Sequence, residues 1–356
     1  MTRPPISPAA SPWWTPHIHA DRRPLLLARN RIRDAVRTHF GERNFTEIEC
    51  GALQLSPGNE AHLHAFRTER IYPGDGTETL YLHTSPEFAC KKLLAAGETR
   101  LFSLGPVYRN RERGALHAAE FTMLEWYRAG EDYASVMADS VDLVRLAATI
   151  AGTKHFHFRG KDCDPFAVPE RVSVAEAFAQ YAGIDLLATL GPQGEAKREA
   201  LADEAVHAGV HFSEDDSWSD IFSRILVERI EPKLGIGAPT FLVEYPRVEA
   251  ALARASEHDP RVAERFELYI CGVEIANGFG ELTDPEEQRK RFETEMAEKA
   301  RIYGERYPID ADFLAALALM PEASGVALGF DRLVMLATGA ERIDQVIWTP
   351  MSDKGI

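Results

Sequence analysis

The chain is short of cysteine, of basic charge and of long apolar runs, and each shortage removes a class of protein. Its four cysteines (Cys50, Cys90, Cys163, Cys271) lie far apart in 356 residues, with no C-x-x-C pair. That excludes a zinc ribbon or a disulfide framework and suits a reducing, cytoplasmic setting. The pairs His17/His19, His62/His64 and His155/His157 have strand spacing, with no nearby cysteine and no helical H-x-x-x-H partner, so they read as ordinary residues. Forty basic against 55 acidic residues give a net charge of -15, and no overall basic field exists to hold nucleic acid. The cluster Arg29, Arg31, Arg33 and Arg37 reads as the solvated face of a helix, with phosphate binding as the alternative. No apolar run is long enough for a membrane span, and the N-terminus carries no signal-peptide core.

What is present is enough apolar sequence, 45%, for a substantial core. Residues 1–20 are rich in proline and read as a disordered tail. Folded structure is expected from Asp21, as the N-cap of a helix that turns Leu25, Leu26, Ile32 and Val36 inward. Short strands are expected at Phe45–Glu49 and Leu80–His83. A helix then starts at Thr84-Ser85-Pro86-Glu87, with Ser85 as cap. From about 132 to 239 the pattern is mainly helical, with a capping box at Ser173–Glu176, and reads as an insertion on a β core. Strands return at Thr240–Val243 and Phe266–Ala276, followed by a charged helix from Asp284-Pro285 to about Tyr303 and a Gly-rich strand, Gly325–Gly329, that feeds a last helix ending at Gly339. Hairpins without regular β-α-β alternation predict an α+β fold, a mixed, mainly antiparallel sheet flanked by helices, over residues 21–350.

The stretch that organises the rest is Tyr108–Arg128, two strands around a basic loop with Arg111, Arg113, Gly114 and His117. Alternation puts Phe121, Met123, Glu125 and Tyr127 on one face, so a carboxylate sits among aromatic groups. Glu125 and Phe121 are then about 13 Å apart at ~3.3 Å per residue, a platform able to stack a flat ring at one end and grip a cation at the other. A sheet edge where Glu125 meets water is the plainer alternative. In a second hairpin turning at Cys271-Gly272, Glu274 should face Tyr269 and Ala276 should face Glu267. Glu267 and Glu274 become diagonal neighbours about 7–8 Å apart. Two converging carboxylates suit Mg²⁺ beside phosphates, although two exposed glutamates on an edge hairpin would look the same. Asn277, Phe279 and Glu281 have the other parity and need a bulge, which Gly278 or Gly280 could supply. Arg332, in the first turn of the last helix beside Gly329, makes an anion site or pairs with a surface carboxylate.

Together these segments resemble the class II aminoacyl-tRNA synthetases of the lysyl branch. Tyr108-Arg109-Asn110 with Glu120–Glu125 resembles motif 2, and Gly325–Arg332 resembles motif 3. Thr84–Glu87 and Glu274–Leu282 resemble the amino-acid pocket segments. With about twenty residues ahead of the core there is no room for the anticodon-reading OB-fold domain of lysyl-tRNA synthetases. A lysyl core of this kind is similar to the elongation factor P–(R)-β-lysine ligase family, as are Glu120–Arg128 and Ser324–Gly329. Ala276 stands where tRNA-charging enzymes usually have Gly, and one added methyl implies a shifted substrate amino group.

The resemblance implies adenylation of lysine or β-lysine with ATP and Mg²⁺, and transfer to a lysine of elongation factor P by a cytoplasmic homodimer. It implies that Arg109 holds the α-phosphate, Phe121 stacks on adenine, and Arg332 takes the opposite adenine face and the γ-phosphate. Arg109 and Arg332 are thus the catalytic pair, with Asn110, Glu112, His117 and Gly329 also at ATP and Glu267 and Glu274 on Mg²⁺. Ser85, Glu87, Glu125, Tyr127, Ala276, Asn277, Phe279 and Glu281 would bind the amino acid. Three departures stand out: Cys50-Gly51 replaces the usual Pro of motif 1, Arg111 takes an acidic position of motif 2, and Ala118-Ala119 replaces Asn-Pro. Alternative readings are a lysyl core that charges tRNA or a small acceptor, disfavoured by the acidic charge, and a silent lysine-sensing paralogue, disfavoured by the complete phosphate and metal set.

Overall fold

The structure, a computed structural model, describes residues 12–74 and 76–351. Eight strands form the main sheet: β1 (Thr46–Glu47), β2 (Arg100–Tyr108), β3 (Glu120–Ala129), β4 (Glu170–Ser173), β5 (Thr240–Pro246), β6 (Val262–Ile270), β7 (Val273–Gly280) and β8 (Ala323–Gly329). Their order is β1-β2-β3-β8-β7-β6-β5-β4, antiparallel except at the two edges, where β1 runs parallel to β2 and β4 parallel to β5. This is the mixed, mainly antiparallel α+β sheet expected from the hairpin pattern.

Alternation along β3 divides the molecule. Leu124 and Trp126 point into a large apolar core, where they meet helices α1 (Pro16–Gly41), α3 (Tyr133–Ala151) and α5 (Phe330–Thr338). Phe121, Met123 and Glu125 face the opposite side and line a cavity. Helix α2 (Glu87–Ala95), helix α4 (Pro285–Tyr303) and a three-stranded sheet at residues 53–82 flank that side.

Several expectations shift. Helix α1 begins at Pro16 rather than at Asp21, because a proline at the first helical position needs no amide partner, and Asp21 lies within the helix. Residues 1–11 of the expected tail lie outside the described residues. Ser85 is one residue too early to be the cap of α2, although its Oγ accepts a hydrogen bond from Glu87 N at 3.0 Å. The helical stretch 132–239 is not one insertion. Helix α3 packs into the main core and β4 extends the sheet, leaving a satellite helical cluster from Val174 to about Leu234 with its own buried set, including Phe178, Trp218 and Phe222. Asp284 caps α4 and the capping box at Ser173–Glu176 forms as expected.

The hairpin β6–β7 turns at Cys271 (φ 53°) and Gly272 (φ 72°), and Tyr269 pairs with Glu274. Beyond that the register corrects the expectation. Leu268 pairs with Ala276 and Glu267 with Asn277, so Ile275 is the extra residue of a bulge. The bulge lies at Ile275, not at Gly278 or Gly280, and it moves Asn277 and Phe279 onto the face of Glu274.

Candidate active site

One cavity of about 830 Å³ opens on the sheet face, and Arg109, Phe121, Glu125, Glu274 and Arg332 all contribute to its wall. At one end Phe121 lies flat beneath the Arg109 guanidinium, 5.3 Å from the ring centroid. Arg109 Nε donates to Thr84 O at 3.2 Å. Burial lowers its pKa, offset in part by the charges of Glu60, Glu112 and Glu274. Arg332, in the first turn of α5, donates to Glu274 O (2.8 Å), Glu274 Oε2 (3.3 Å) and Leu116 O (3.2 Å). His117 Nε2 lies 2.9 Å from its NH2 group. Burial and then the Arg332 charge lower the His117 pKa, which suits a neutral ring accepting from the guanidinium. Behind Arg332, Asp331 is buried, ion-paired to Arg29 of α1, and accepts from Thr122 N at 2.8 Å. That triangle fixes motif 3 against the strand carrying Phe121.

Glu267 and Glu274 sit on one face, as the alternation requires. Burial and then the Glu267 charge raise the Glu274 pKa. Glu267 itself accepts from Tyr245 OH (2.5 Å), Tyr269 OH (2.6 Å) and Arg265 (2.7 Å), and it stands behind the cavity wall. Among the described residues no set of three or more His, Cys, Asp or Glu forms a metal cage. Mg²⁺ does not require one, since it binds through one or two carboxylates, waters and phosphates. The crowded Glu267–Glu274 pair therefore fits a cation that relieves its repulsion, with Glu274 presenting the open oxygen.

The other end is acidic. Glu125 is buried, accepting from Ser85 Oγ at 2.6 Å and from Tyr127 OH at 3.0 Å. Burial, then the Glu87 charge, push its pKa up to about 8. Asn277 and Phe279 line the same space, and Arg265 Nε donates to Asn277 Oδ1 at 3.3 Å.

Three expected site residues stand elsewhere, as does Arg111 of the motif 2 loop, and Tyr127, buried off the cavity wall, meets the site through the hydroxyl that it donates to Glu125. Ala276 is 1% exposed and packs in the core opposite Leu268 and Leu328, because the bulge turns it away from the cavity. Glu281 is also buried, and its Oε2 lies 2.6 Å from the Lys91 ammonium rather than on the cavity. Asn110 is exposed and uses its Oδ1 to accept from Arg111 N at 2.9 Å. Arg111, at φ 68°, pairs with Glu305 and lies over the Tyr303 ring, 5.4 Å from its centroid. Glu112 and Gly329 do line the cavity.

Sequence reasoning missed Lys91, which bridges Glu87 (2.5 Å) and Glu281 (2.6 Å) in the protein interior. Burial alone would lower its pKa, but the two carboxylates hold it above the ordinary lysine value. The signal was available, because Glu87 and Lys91 are an i,i+4 pair on one helix face. It also missed Ala327, which lines the cavity from β8 directly opposite Glu125, and Glu60. Burial and the Glu87 charge push the Glu60 pKa to about 7. Glu60 lies in a loop, where no periodicity marks it.

An antiparallel sheet that presents an arginine-bearing hairpin, two convergent carboxylates and a Gly-helix arginine to one cavity defines a class, and comparison with known proteins gives the same one. Residues 17–353 match the family of class II tRNA synthetases for D, K and N, and the chain belongs to it. More closely, it is 39% identical over 328 residues to an elongation factor P–(R)-β-lysine ligase of Vibrio cholerae, covering 91% of this chain and 94% of that protein. Proteins of the same name in Sodalis glossinidius and Proteus mirabilis are 41% and 39% identical, covering 90% and 92% of this chain and 93% and 94% of theirs. Within the class, this chain is a member of that ligase family.

Proposed function

We propose that the protein activates (R)-β-lysine with ATP as an aminoacyl-adenylate and ligates it to a lysine side chain of elongation factor P. The observation that carries this is the single cavity with a guanidinium-and-carboxylate end for a nucleotide and a carboxylate end for a diamino acid. The names of the relatives supply the isomer and the acceptor.

Arg109 and Arg332 hold the α- and γ-phosphates, and Phe121 stacks on the adenine ring. His117, Glu112 and Gly329 border the phosphates. Glu274, backed by Glu267, would hold Mg²⁺, which would supply positive charge against the phosphates. Glu87 and Glu125 take the substrate's ammonium groups, with Ser85 and Tyr127 fixing the Glu125 carboxylate and Asn277 and Phe279 shaping the wall. The substrate carboxylate attacks the α-phosphorus and pyrophosphate leaves, so positioning and charge rather than a covalent nucleophile lower the barrier. In the second step the acceptor amine attacks the anhydride carbonyl. The carbonyl–oxygen bond breaks and AMP departs with the electron pair. The ammonium yields one proton before attack and a second as the tetrahedral intermediate collapses. The reading includes a cytoplasmic homodimer and excludes tRNA as acceptor.

Pyrophosphate exchange with (R)-β-lysine or α-lysine, followed by transfer of labelled amino acid to elongation factor P or to tRNA, tests it. Exchange favouring the β isomer and label on elongation factor P are expected. Absence of exchange with either isomer, or label on tRNA alone, overturns the proposal.

A further inference from the structure

Glu60 lines the cavity, yet the proposed chemistry gives it no task. It lies in a loop without regular structure that is nonetheless held firmly on both sides of it. Asn59 is buried and donates to Pro308 O at 3.3 Å. Ala61 N donates to Glu295 Oε2 at 2.8 Å, and the buried Lys299 ammonium donates to Ala61 O and Leu63 O at 2.9 and 2.6 Å. With both neighbours tied to α4 and the segment after it, the Glu60 side chain is presented to the cavity rather than to bulk water.

The charges around it say what it could hold. Its carboxylate accepts a hydrogen bond from its own amide, and the charges that bear on it are, in order, those of Glu87, Arg109 and Glu295. Lys299 also feels the Glu60 charge, but its hydrogen bonds go to the loop carbonyls. Glu87 is the leading charge on Glu125 as well. Glu60 thus stands beside Glu87 on the side of Arg109, the α-phosphate guanidinium. Lys91 divides one charge between Glu87 and Glu281, so it does not neutralise this end of the cavity. A diamino acid brings two ammonium groups at unequal distances from its carboxylate. When that carboxylate lies at the α-phosphorus by Arg109, the distal ammonium belongs to Glu125 and the inner one falls on the Arg109 side of it. We infer that Glu60, together with Glu87, holds the inner ammonium and makes the site demand a second amino group. A ligand without that group forgoes a charged hydrogen bond and leaves the Glu60 carboxyl without its cation. Burial and the Glu87 charge push the Glu60 pKa to about 7, and an ammonium beside it would relieve that cost.

The inference deepens the proposed activation of (R)-β-lysine and rests on it, so binding and activity are read separately. Calorimetric titration gives the Kd of (R)-β-lysine and of 6-aminohexanoate, which keeps the carboxylate and the distal ammonium but has no inner one. Glu60→Gln should raise the Kd of (R)-β-lysine about 10- to 100-fold, while the Kd of 6-aminohexanoate and that of ATP stay within about twofold. Those two unchanged constants show that the pocket is intact. Glu60→Asp, which keeps the charge on a shorter stem, should lose less than Glu60→Gln. A (R)-β-lysine Kd within about twofold of wild type in Glu60→Gln overturns the inference. So does an equal rise for both ligands, or an equal loss in the Asp and Gln variants, since either assigns Glu60 to shaping the loop. A wild-type protein that binds (R)-β-lysine but exchanges no pyrophosphate defeats the activation reading and leaves the Glu60 contact to be judged by the titrations. One that binds no diamino acid defeats both.

Discussion

In the proposed function, Glu125 is the residue on which substrate charge and pH meet. A carboxyl held near 8 is largely protonated at neutral pH, and an incoming ammonium favours its ionised form. Binding of the diamino acid should therefore release a proton, and its KM should fall as pH rises from 6.5 to 8.5. Glu125→Gln should abolish that dependence and raise the lysine KM about 10- to 100-fold, the worth of a charged hydrogen bond, while the ATP KM barely moves. The folded pKa lies above the ordinary carboxyl value, so the sign for stability is the reverse of a salt-bridged glutamate. The ligand-free protein should lose stability as pH climbs from about 4.5 to 8, and the Gln variant should lose less across that window, as thermal melts will read. Arg332 offers a sharper test. Its guanidinium has three partners fixed by the first turn of α5, so Arg332→Ala should cut pyrophosphate exchange by roughly 10³-fold or more.

At the scale of elements, α2 and the end of β7 meet through the Glu87–Lys91–Glu281 chain, which has no solvent to fall back on. Lys91→Met leaves two facing carboxylates in the interior and should cost about 3–5 kcal/mol of stability. Pairing it with Glu281→Leu should restore much of the loss, and a denaturant series on both variants measures it. Gly325 is equally constrained: a Cβ there would overlap the Tyr127 ring and Glu281 Oε1. Gly325→Ala should therefore weaken lysine binding through a displaced Tyr127, visible as a raised KM with ATP binding intact. The sequence made β3 and α5 readable because alternation and a Gly-to-helix junction are local patterns. It hid the Ile275 bulge, which depends on pairing with β6, and so it misplaced Ala276 and left Ala327 unremarked. It also made one insertion of 132–239, because a helix that packs on the main core and one that packs on its own cluster show the same periodicity. Charge pairs closed across the fold, such as Arg111 with Glu305 or Arg29 with Asp331, leave no local trace at all.

For the whole molecule, a net charge of -15 matters most for what docks. Polyanions gain affinity by releasing counterions to basic surfaces, and here the balance is unfavourable. Transfer to elongation factor P should therefore persist with excess tRNA present, a competition that labelled β-lysine can follow. Among the described residues no helix is long and apolar enough to cross a membrane. The cavity's make-up, in turn, depends on chain counting. Ile275 is surplus to regular pairing, and that one residue sends Asn277 and Phe279 to the side already occupied by Glu274. Were Ile275 drawn into regular pairing instead, both would turn over into hydrocarbon and Ala276 would come round in their stead. In the proposed function the amino-acid wall and the cation-holding carboxylate thus share a single hinge of register, and wall residues around it can be traded as long as the irregularity at Ile275 is not straightened into the ladder.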